Sequence, residues 1–297
     1  MARIGFIGIG MMGHGMARNL MEKGHGLTVM ANRSRERVDD LVARGAAEVR
    51  TPAEVARASD ILFTCVPTSR DVEALVQGPD GILAGAAPGL IHVDTSTANP
   101  VSTMVLAEAY AQKGVRFVDA PLARTPKEAM EGRLNVMVGA SEELFAEILP
   151  VLKCFAENVF HVGGLGAGHK IKLINNFIAM GHASIAAEAV SAARATGVDL
   201  KALYDLVSAG GANSAMFQMV MPYVLEGDGS RMQFAIGNAR KDLAYFAAMA
   251  NEARMTGLMA PAVLQTLTLA TALGHGGEHI PKLTDILTGL NGTAPST

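Results

Sequence analysis

The chain has few of the residues that build disulfide scaffolds, metal centres and aromatic cores. Its 297 residues include two cysteines, no tryptophan and 5% aromatic residues in total. Two cysteines, Cys65 and Cys154, are too few for a disulfide framework, and neither stands at a spacing typical of metal ligands. The histidines also lack ligand spacing on any one predicted face, so we predict no metal site.

The chain also lacks an excess of charge of one sign. Its 25 lysine and arginine residues and 28 aspartate and glutamate residues give a net charge of −3, and no run of basic residues is present. Nucleic-acid binding needs a concentrated basic surface, so we predict no nucleic-acid partner. The longest apolar segment, 177–193, contains His182 and Glu188 and falls short of a membrane span. No signal-peptide pattern precedes the first predicted strand, and we expect a cytoplasmic protein.

What is present is the composition of a soluble globular protein, with 49% hydrophobic and 18% charged residues. Up to about residue 164, short apolar runs alternate with helical patterns. This alternation predicts an α/β domain built on a doubly wound parallel sheet. The predicted strands cover residues 3–8, 27–31, 61–66, 90–94, 116–119, 135–138 and 158–162. Predicted helix caps include Thr51, Ser69, Asn99 and Ser141.

The pattern changes at Gly166, where one long helix is predicted to run to about Ala195. Shorter helical patterns follow at 200–208, 215–225, 239–253 and 261–273, and no strand pattern accompanies them. We therefore predict two domains, an α/β domain over 1–164 and an all-α domain over 165–297. In open α/β sheets the ligand lies outside the carboxyl ends of the strands, so a second domain there would close a cleft over it.

A glycine-rich turn follows the first predicted strand. Residues 8–13 read Gly-Ile-Gly-Met-Met-Gly and lead directly into a helical pattern. Gly8 would permit a tight turn, Gly10 the close approach of backbone to a pyrophosphate, and Gly13 close packing of helix on strand. With the amides of Met11 and Met12 at the helix N-terminus, they predict a site for NAD, NADP or a flavin dinucleotide. A glycine-rich turn without a ligand is the alternative.

The end of the second predicted strand favours NADP over NAD. NAD-specific folds place a carboxylate here, which accepts from the ribose hydroxyls and repels a 2′-phosphate. This chain has Asn32, Arg33 and Ser34 instead, and its first carboxylate is Glu36. An amide, a guanidinium and a hydroxyl suit a phosphate dianion. A solvated helix start capped by Ser34 is the alternative interpretation.

Two later strand ends are expected at the same cofactor by topology. Val66 and Pro67 lie at the end of the strand that begins at Ile61, and Thr97 follows the strand that ends at Asp94. Parallel strands present their carboxyl ends at one edge of the sheet, where the cofactor binds. The hydroxyls in these segments can instead cap the helices that follow.

Three polar residues near the start of the long predicted helix form a candidate catalytic group. Lys172 is followed by Asn175 at i+3 and Asn176 at i+4, so the spacing puts all three on one face. A lysine that faces a cleft can give a proton to a carbonyl oxygen as a hydride arrives and take it back in the reverse direction. A surface lysine followed by polar helix residues is the alternative on these residues alone.

These motifs occur together, and in order, in a known family. The chain resembles the β-hydroxyacid dehydrogenases, typified by 3-hydroxyisobutyrate dehydrogenase, over essentially its whole length. The resemblance rests on five motifs: residues 6–20, Asp94-Thr95-Ser96-Thr97, Asp119-Ala120-Pro121, Gly166-Ala167-Gly168 with Lys172 and Asn175-Asn176, and Lys241-Asp242-Leu243. It implies a Rossmann domain, a helical second domain, Lys172 as catalytic acid/base and Asn176 as a substrate-orienting residue. It also places Lys241 at the cofactor and active site.

One segment departs from the family pattern. After Asp-Ala-Pro most members continue Val-Ser-Gly-Gly, whose serine and bare amides hold a substrate carboxylate, whereas this chain reads Leu122-Ala123-Arg124-Thr125. A guanidinium presents several donors to a tetrahedral oxyanion, so we expect Arg124, with Ala123, Thr125 and Asn175, at the substrate. The pattern resembles the branch that contains sulfolactaldehyde reductase. An ion pair between Arg124 and Glu128 at i+4 is the alternative.

The expected function is therefore an NAD(P)-dependent dehydrogenase or reductase acting on CH–OH, with NADP favoured and NAD the alternative cofactor. Its expected substrate is a small anionic molecule, a short primary-alcohol acid or its semialdehyde. Imine reduction on the same fold and a non-catalytic NADP-binding module are the alternatives, and Lys172 counts against both. The resemblance also implies a homodimer or homotetramer.

Overall fold

The computed structural model describes residues 1–32 and 35–292 and divides the chain into two compact units. The first unit runs from Met1 to Lys172, and the second begins at Leu173. The division falls inside one continuous helix, Ala167–Thr196, which we call α9. The sequence pattern puts the domain boundary eight residues earlier, at 164/165, where the helical pattern begins.

The first unit contains a nine-stranded sheet and the helices that surround it. Its strands are β1 (Arg3–Ile7), β2 (Gly26–Met30), β3 (Ala47–Val49), β4 (Ile61–Thr64), β5 (Ile91–Asp94), β6 (Arg116–Asp119), β7 (Leu122–Ala123), β8 (Leu134–Gly139) and β9 (Ala156–Gly163). Its helices before α9 are α1 (Met11–Glu22), α2 (Glu36–Ala43), α3 (Pro52–Arg57), α4 (Ser69–Gln77), α5 (Ile82–Gly85), α6 (Pro100–Ala111), α7 (Pro126–Met130) and α8 (Glu142–Leu152).

The strand order confirms the predicted doubly wound fold. Along the sheet the strand order is β3-β2-β1-β4-β5-β6-β8-β7. Strand β9 is outside this order and also pairs with β8. The first six strands are parallel, and the order reverses between β1 and β4. Dinucleotides bind at such a reversal, outside the carboxyl ends of the strands. The predicted glycine-rich turn follows β1 and lies at this edge.

The sequence pattern predicted a parallel sheet, but the observed sheet is mixed. Strand β8 runs antiparallel to both β6 and β7. Strands β3 and β7 were not predicted, since runs of three and two residues carry no periodicity that a sequence pattern can reveal. The short β7 nevertheless matters, because it forms the first half of the segment Leu122-Ala123-Arg124-Thr125, in which the chain departs from the family pattern.

The caps of the helices explain where most of them begin. Thr51, Asn99 and Ser141 each accept a backbone hydrogen bond at the start of their helices, as predicted. The predicted cap at Ser69 is wrong by one residue. Thr68 caps α4 through a reciprocal pair with Asp71, while the Ser69 hydroxyl accepts from the amide of Asn99, 2.7 Å away.

The described part of the second unit is helical, as predicted. After α9 come α10 (Leu200–Ala209), α11 (Ala215–Glu226), α12 (Ile236–Glu252), α13 (Met259–Ala272) and α14 (Leu283–Leu290). The last was not predicted. The core of the second unit is built from aliphatic and methionine side chains, among them Met180, Leu243 and Leu267. Within residues 1–32 and 35–292, no helix is both long and apolar enough to cross a bilayer.

Candidate active site

The glycine-rich turn after β1 has the geometry of a phosphate cradle. Gly8 has φ +99°, and a Cβ on it would stand 2.2 Å from the carbonyl oxygen of Cys65. A Cβ on Gly13 would stand 2.1 Å from the carbonyl oxygen of Gly8, so α1 packs on the turn only without a side chain there.

Gly10 leaves the start of α1 open to a ligand. No heavy atom lies within 4 Å of the position that a Cβ on Gly10 would take. It is also the N-cap of α1 and offers no side chain to the helix amides, and Met11 is 58% exposed. First-turn amides without a side-chain cap, together with the helix dipole, suit an anion, so these residues fit a dinucleotide pyrophosphate.

The other predicted cofactor residues of the first unit follow the carboxyl ends of neighbouring strands. Asn32 is exposed beyond β2, while Arg33 and Ser34 lie outside the described residues. Val66 and Pro67 follow β4, and Thr97 follows β5. The Val66 amide donates to Ser96 Oγ at 3.0 Å and ties these two strand ends together. The strand ends on which the prediction rests thus lie side by side.

The start of α9 is built onto the ends of β6 and β8. The Asp119 carboxylate accepts from the amides of Gly166 and His169, each at 2.7 Å, and so caps the helix. Gly166 has φ +87°, and a Cβ on Gly168 would stand 2.5 Å from the carbonyl oxygen of Met137. Burial raises the pKa of Asp119 above its usual value, against the opposing effects of His169 and the two amides.

Lys172 follows one turn after this cap, and its side chain is buried, with 9% of the residue exposed. Asn176, at i+4, is also buried, whereas Asn175 is exposed and donates to Asn176 Oδ1 at 3.3 Å. The three predicted residues therefore do not share one environment. Lys172 and Asn176 are enclosed, and Asn175 lies at the edge of their helix face.

In the second unit, a buried carboxylate joins Asn176 to α12. Asn176 Nδ2 donates to Asp242 Oδ2 at 2.7 Å, and Lys241 Nζ lies 3.0 Å from Asp242 Oδ1. The same ammonium lies 5.5 Å from the centre of the Tyr245 ring. Because a carboxylate only accepts, the Asn176 amide nitrogen is the donor to Asp242, and the Asn176 amide oxygen is the atom that accepts from Asn175.

The Arg124 side chain pairs with a residue that the sequence pattern did not suggest. The Arg124 guanidinium forms an ion pair with Glu157 of β9 and donates to the carbonyl oxygen of Arg133 at 2.5 Å. Glu128 instead accepts from the amide and hydroxyl of Thr125 at the start of α7. The alternative considered from the sequence, an i+4 pair between Arg124 and Glu128, does not form. The Arg124 guanidinium also holds the pKa of Glu157 below its usual value.

The backbone explains why the family carries glycine at the position of Arg124. Arg124 has φ +86°, in the left-handed region that costs a non-glycine residue about 1–2 kcal/mol. Besides Arg124, the only other non-glycine residue with positive φ among 1–32 and 35–292 is Arg254. An arginine in this conformation, paired through its side chain with Glu157, therefore distinguishes this chain from the family pattern, which has glycine here.

Comparisons with known proteins agree with this geometry. Residues 3–163 match the model of the NAD binding domain of 6-phosphogluconate dehydrogenase, and residues 166–285 match the model described as NAD-binding of NADP-dependent 3-hydroxyisobutyrate dehydrogenase. The 2-(hydroxymethyl)glutarate dehydrogenase of Eubacterium barkeri is 33% identical over 296 residues, covering 99% of this chain and 97% of that protein. The chain belongs to the β-hydroxyacid dehydrogenase family.

Two further relatives are named for different substrates. The 3-sulfolactaldehyde reductase of Escherichia coli is 31% identical over 279 residues, 94% of this chain and 93% of that protein. The crystal structure of a 3-hydroxyisobutyrate dehydrogenase from Salmonella typhimurium has a TM-score of 0.84 and 29% identity, covering 96% of this chain and 99% of that one. Family membership makes this chain an NAD(P)-dependent oxidoreductase acting on CH–OH groups.

Sequence reasoning missed several residues that organise the candidate site. Asp119 and Asp242 entered only as parts of family motifs, and His169 was set aside because it has no ligand spacing. Their partners lie 47 to 73 positions away in the chain, and no local pattern reveals such contacts. One signal was available for His92, since a histidine inside a buried parallel strand requires a polar partner. Within the described ranges, no group of three His, Cys, Asp or Glu side chains is arranged to hold a metal ion.

Proposed function

We propose that this protein interconverts a short acid bearing a primary hydroxyl and its semialdehyde, and that its own substrate is a small aldehyde carrying a sulfonate or carboxylate. The observation that carries the proposal is the burial of Lys172 at the start of α9, one turn from Asn176. The 31% identity to 3-sulfolactaldehyde reductase supports the sulfonate form of the substrate.

In this proposal Lys172 moves the proton and Asn176 orients the substrate. A bound nicotinamide supplies the hydride in reduction and accepts it in oxidation. The Lys172 ammonium gives a proton to the carbonyl oxygen during reduction, and the neutral amine takes it from the hydroxyl in the other direction. Asp242 holds the Asn176 amide nitrogen, and the amide oxygen, which accepts from Asn175, would accept a second hydrogen bond from the substrate.

Gly8, Gly10 and Gly13, with the amides of Met11 and Met12, would hold the pyrophosphate. The remaining proposed cofactor contacts are Asn32, Arg33, Ser34, Val66, Pro67, Thr97 and Lys241. We favour NADP because the segment after β2 reaches no carboxylate until Glu36, and because the model that matches residues 166–285 describes an NADP-dependent enzyme.

A steady-state screen tests the proposed reaction and cofactor together. Sulfolactaldehyde, succinic semialdehyde, glyoxylate and 3-hydroxyisobutyrate are each assayed with both nicotinamides by absorbance at the reduced-cofactor band. We expect turnover with an anionic aldehyde and a kcat/KM at least about tenfold higher with NADPH than with NADH, the usual effect of one well-placed charged contact. Absence of turnover on every anionic carbonyl substrate contradicts the proposal.

The substrate acid group is proposed to bind at Ala123, Arg124, Thr125 and Asn175. For Arg124 this requires the guanidinium to exchange Glu157 for the substrate. Both partners of that ion pair are partly exposed, at 28% and 45% of their side chains, and exposed pairs of this kind contribute little. A sulfonate or carboxylate in a less solvated position can therefore compete for Arg124.

Variants on either side of this pair give opposite predictions. Arg124→Gly should raise KM for an anionic aldehyde about tenfold or more and leave that for a neutral aldehyde unchanged, since one charge-assisted contact is lost. Glycine suits φ +86°, so the variant should fold at least as well. Glu157→Gln should lower the same KM because it frees the guanidinium.

Arg133→Gln is the matched control, since Arg133 also faces Glu157, 3.7 Å away, but holds no proposed substrate contact. Unchanged KM values in both Arg124→Gly and Glu157→Gln would show that Arg124 serves only the β9 ion pair.

A homodimer or homotetramer is the proposed assembly. Four isoleucines of α9, Ile171, Ile174, Ile178 and Ile185, recur at helical spacing and are 40–59% exposed. A row of exposed apolar side chains along one helix favours burial against another protein surface. This row supports self-association, and the number of subunits stays a prediction.

A further inference from the structure

His169 is a fully buried residue in the first turn of α9, and it is joined to the sheet and to a neighbouring helix. Its Nδ1 lies 2.7 Å from Thr103 Oγ1 on α6, and its Nε2 lies 3.2 Å from the carbonyl oxygen of Ser96. Its backbone amide donates to Asp119. Three separate segments of the first unit therefore hold this single residue.

The bond to Ser96 has a defined direction. A carbonyl oxygen only accepts, so Nε2 carries the proton and donates it to Ser96. Ser96 is also tied to both neighbouring strand ends, because its amide donates to Asp94 Oδ1 at 3.0 Å and its hydroxyl accepts from Val66. The imidazole thus bonds Ser96, which contacts Val66 and directly precedes Thr97, and both of these residues are proposed cofactor contacts.

Lys172 stands three residues after His169, on the adjacent part of the same helix face. The backbone bonds of Asp119 hold the start of α9 in place. The His169 side chain adds two bonds, to Thr103 and Ser96, on the helix face that also carries Lys172. A shift of about 1 Å in a reacting group can cost about a hundredfold in rate, so this anchor bears on catalysis.

We propose that His169 is a positioning residue, which holds the first turn of α9, and with it Lys172, against the cofactor-binding ends of β4 and β5. This inference rests on the proposed role of Lys172 as acid/base. His169 itself touches no reacting atom.

The carboxylates beside the ring do not replace its two hydrogen bonds. Asp94 Oδ2 lies 3.8 Å from Nε2 and Asp119 Oδ2 lies 3.9 Å from Nδ1, both beyond hydrogen-bond distance. Asp94 and Asp119 already accept from Thr64, Ser96, Gly166 and His169 through other bonds. An apolar side chain at position 169 would therefore leave the Ser96 carbonyl without its donor.

The test is a double-mutant cycle of His169→Leu and Lys172→Met. Its readout is single-turnover oxidation of NADPH by the aldehyde that the steady-state screen finds to be turned over fastest. In the otherwise unchanged protein, His169→Leu should lower the rate about 10- to 100-fold. The Kd of NADPH should change less than about threefold, because the Val66–Ser96 and Ser96–Asp94 bonds remain. With methionine at position 172, the same substitution should lower the residual rate by less than about twofold.

Two further variants separate positioning from a general loss of packing. His169→Gln should retain at least about a third of the rate, since its amide can donate to Ser96 and its oxygen can accept from Thr103. His161→Leu is the matched control: this histidine also bonds a carbonyl, that of Ala140 at 2.8 Å, but lies on β9, and its loss should leave the rate unchanged.

Equal rate losses from His169→Leu with lysine and with methionine at position 172 would overturn the proposal, because His169 would then not act through Lys172. If His169→Leu does not fold, the cycle is run with Thr103→Val, which removes one ring partner, with an expected loss of about fivefold in the presence of Lys172 only. Full turnover in the single variant Lys172→Met would instead refute the proposed role of Lys172 as acid/base, whatever the result at position 169.

Discussion

Lys172→Ala is expected to lower kcat by about three orders of magnitude, near the upper part of the range that a single general acid/base contributes. The Kd of NADPH should stay within about threefold of its original value, because the glycine-rich turn and the strand ends that would hold the cofactor are untouched. Stopped-flow reduction of the preferred aldehyde and fluorescence titration with NADPH measure the two quantities separately.

Two variants control for the loss of a buried side chain. Lys172→Met keeps the aliphatic stem and removes the ammonium, so it should be as inactive as the alanine variant while packing better. Lys170→Ala removes an exposed lysine two residues away on the same helix and should keep full activity. Turnover that survives in Lys172→Met would remove this lysine from the mechanism and leave only its structural role.

The second large effect concerns stability and its dependence on pH. His92 is fully buried in β5, where Nδ1 lies 2.8 Å from the Tyr110 hydroxyl and Nε2 lies 2.9 Å from Thr64 Oγ1. Thr64 gives its one hydroxyl proton to Asp94, so Nε2 donates to Thr64 and Nδ1 accepts from Tyr110. This arrangement requires a neutral imidazole. Burial lowers the pKa of His92 to about 4, although Asp94 opposes the shift.

A lowered histidine pKa in the folded state makes the protein less stable in acid. Between about pH 6.5 and 4 the unfolded chain protonates this imidazole and the folded chain does not, so the free energy of unfolding falls as the pH falls through this window. Between pH 7 and pH 4.5 the contribution of His92 amounts to roughly 2–3 kcal/mol. His92→Gln should remove that part of the pH dependence, although it starts from a lower stability at pH 7.

Urea unfolding followed by circular dichroism at pH 7, 6, 5 and 4.5 measures this difference. Other groups titrate in the same range, so the quantity of interest is the change in slope between the original protein and the variant. His279→Gln, which removes an exposed histidine of the second unit, should leave the slope unchanged. Parallel pH profiles for the original protein and His92→Gln would show that His92 does not titrate as its burial implies.

Local sequence patterns account for the elements that carry the site. Gly8 and Gly13 stand where a Cβ would meet backbone oxygens about 2 Å away, so their motif reports backbone geometry directly. The pattern that begins at Gly166 becomes a helix of 30 residues. Both signals depend only on residues within a few positions of each other, which is why they can be read without a structure.

Other parts of the site could not be read in this way. The sequence suggested an anion or Glu128 as the partner of Arg124, and the structure pairs it with Glu157, 33 positions away on β9. Strand β8 pairs antiparallel with β7 and parallel with β9, and no pattern in these segments shows which strands pair.

By itself, the sequence determined the alternation of strands and helices, the glycine positions, the family and the identity of the candidate acid/base. These follow from residue types and short spacings, which local steric and hydrophobic preferences impose on the chain. Only the tertiary structure decided which polar groups meet, as in the bonds of His169 to the Ser96 carbonyl and of Asn176 to the Asp242 carboxylate, separated by 73 and 66 positions. Contacts at such separations exist only once the strands and helices have packed, because packing alone sets which surfaces face each other.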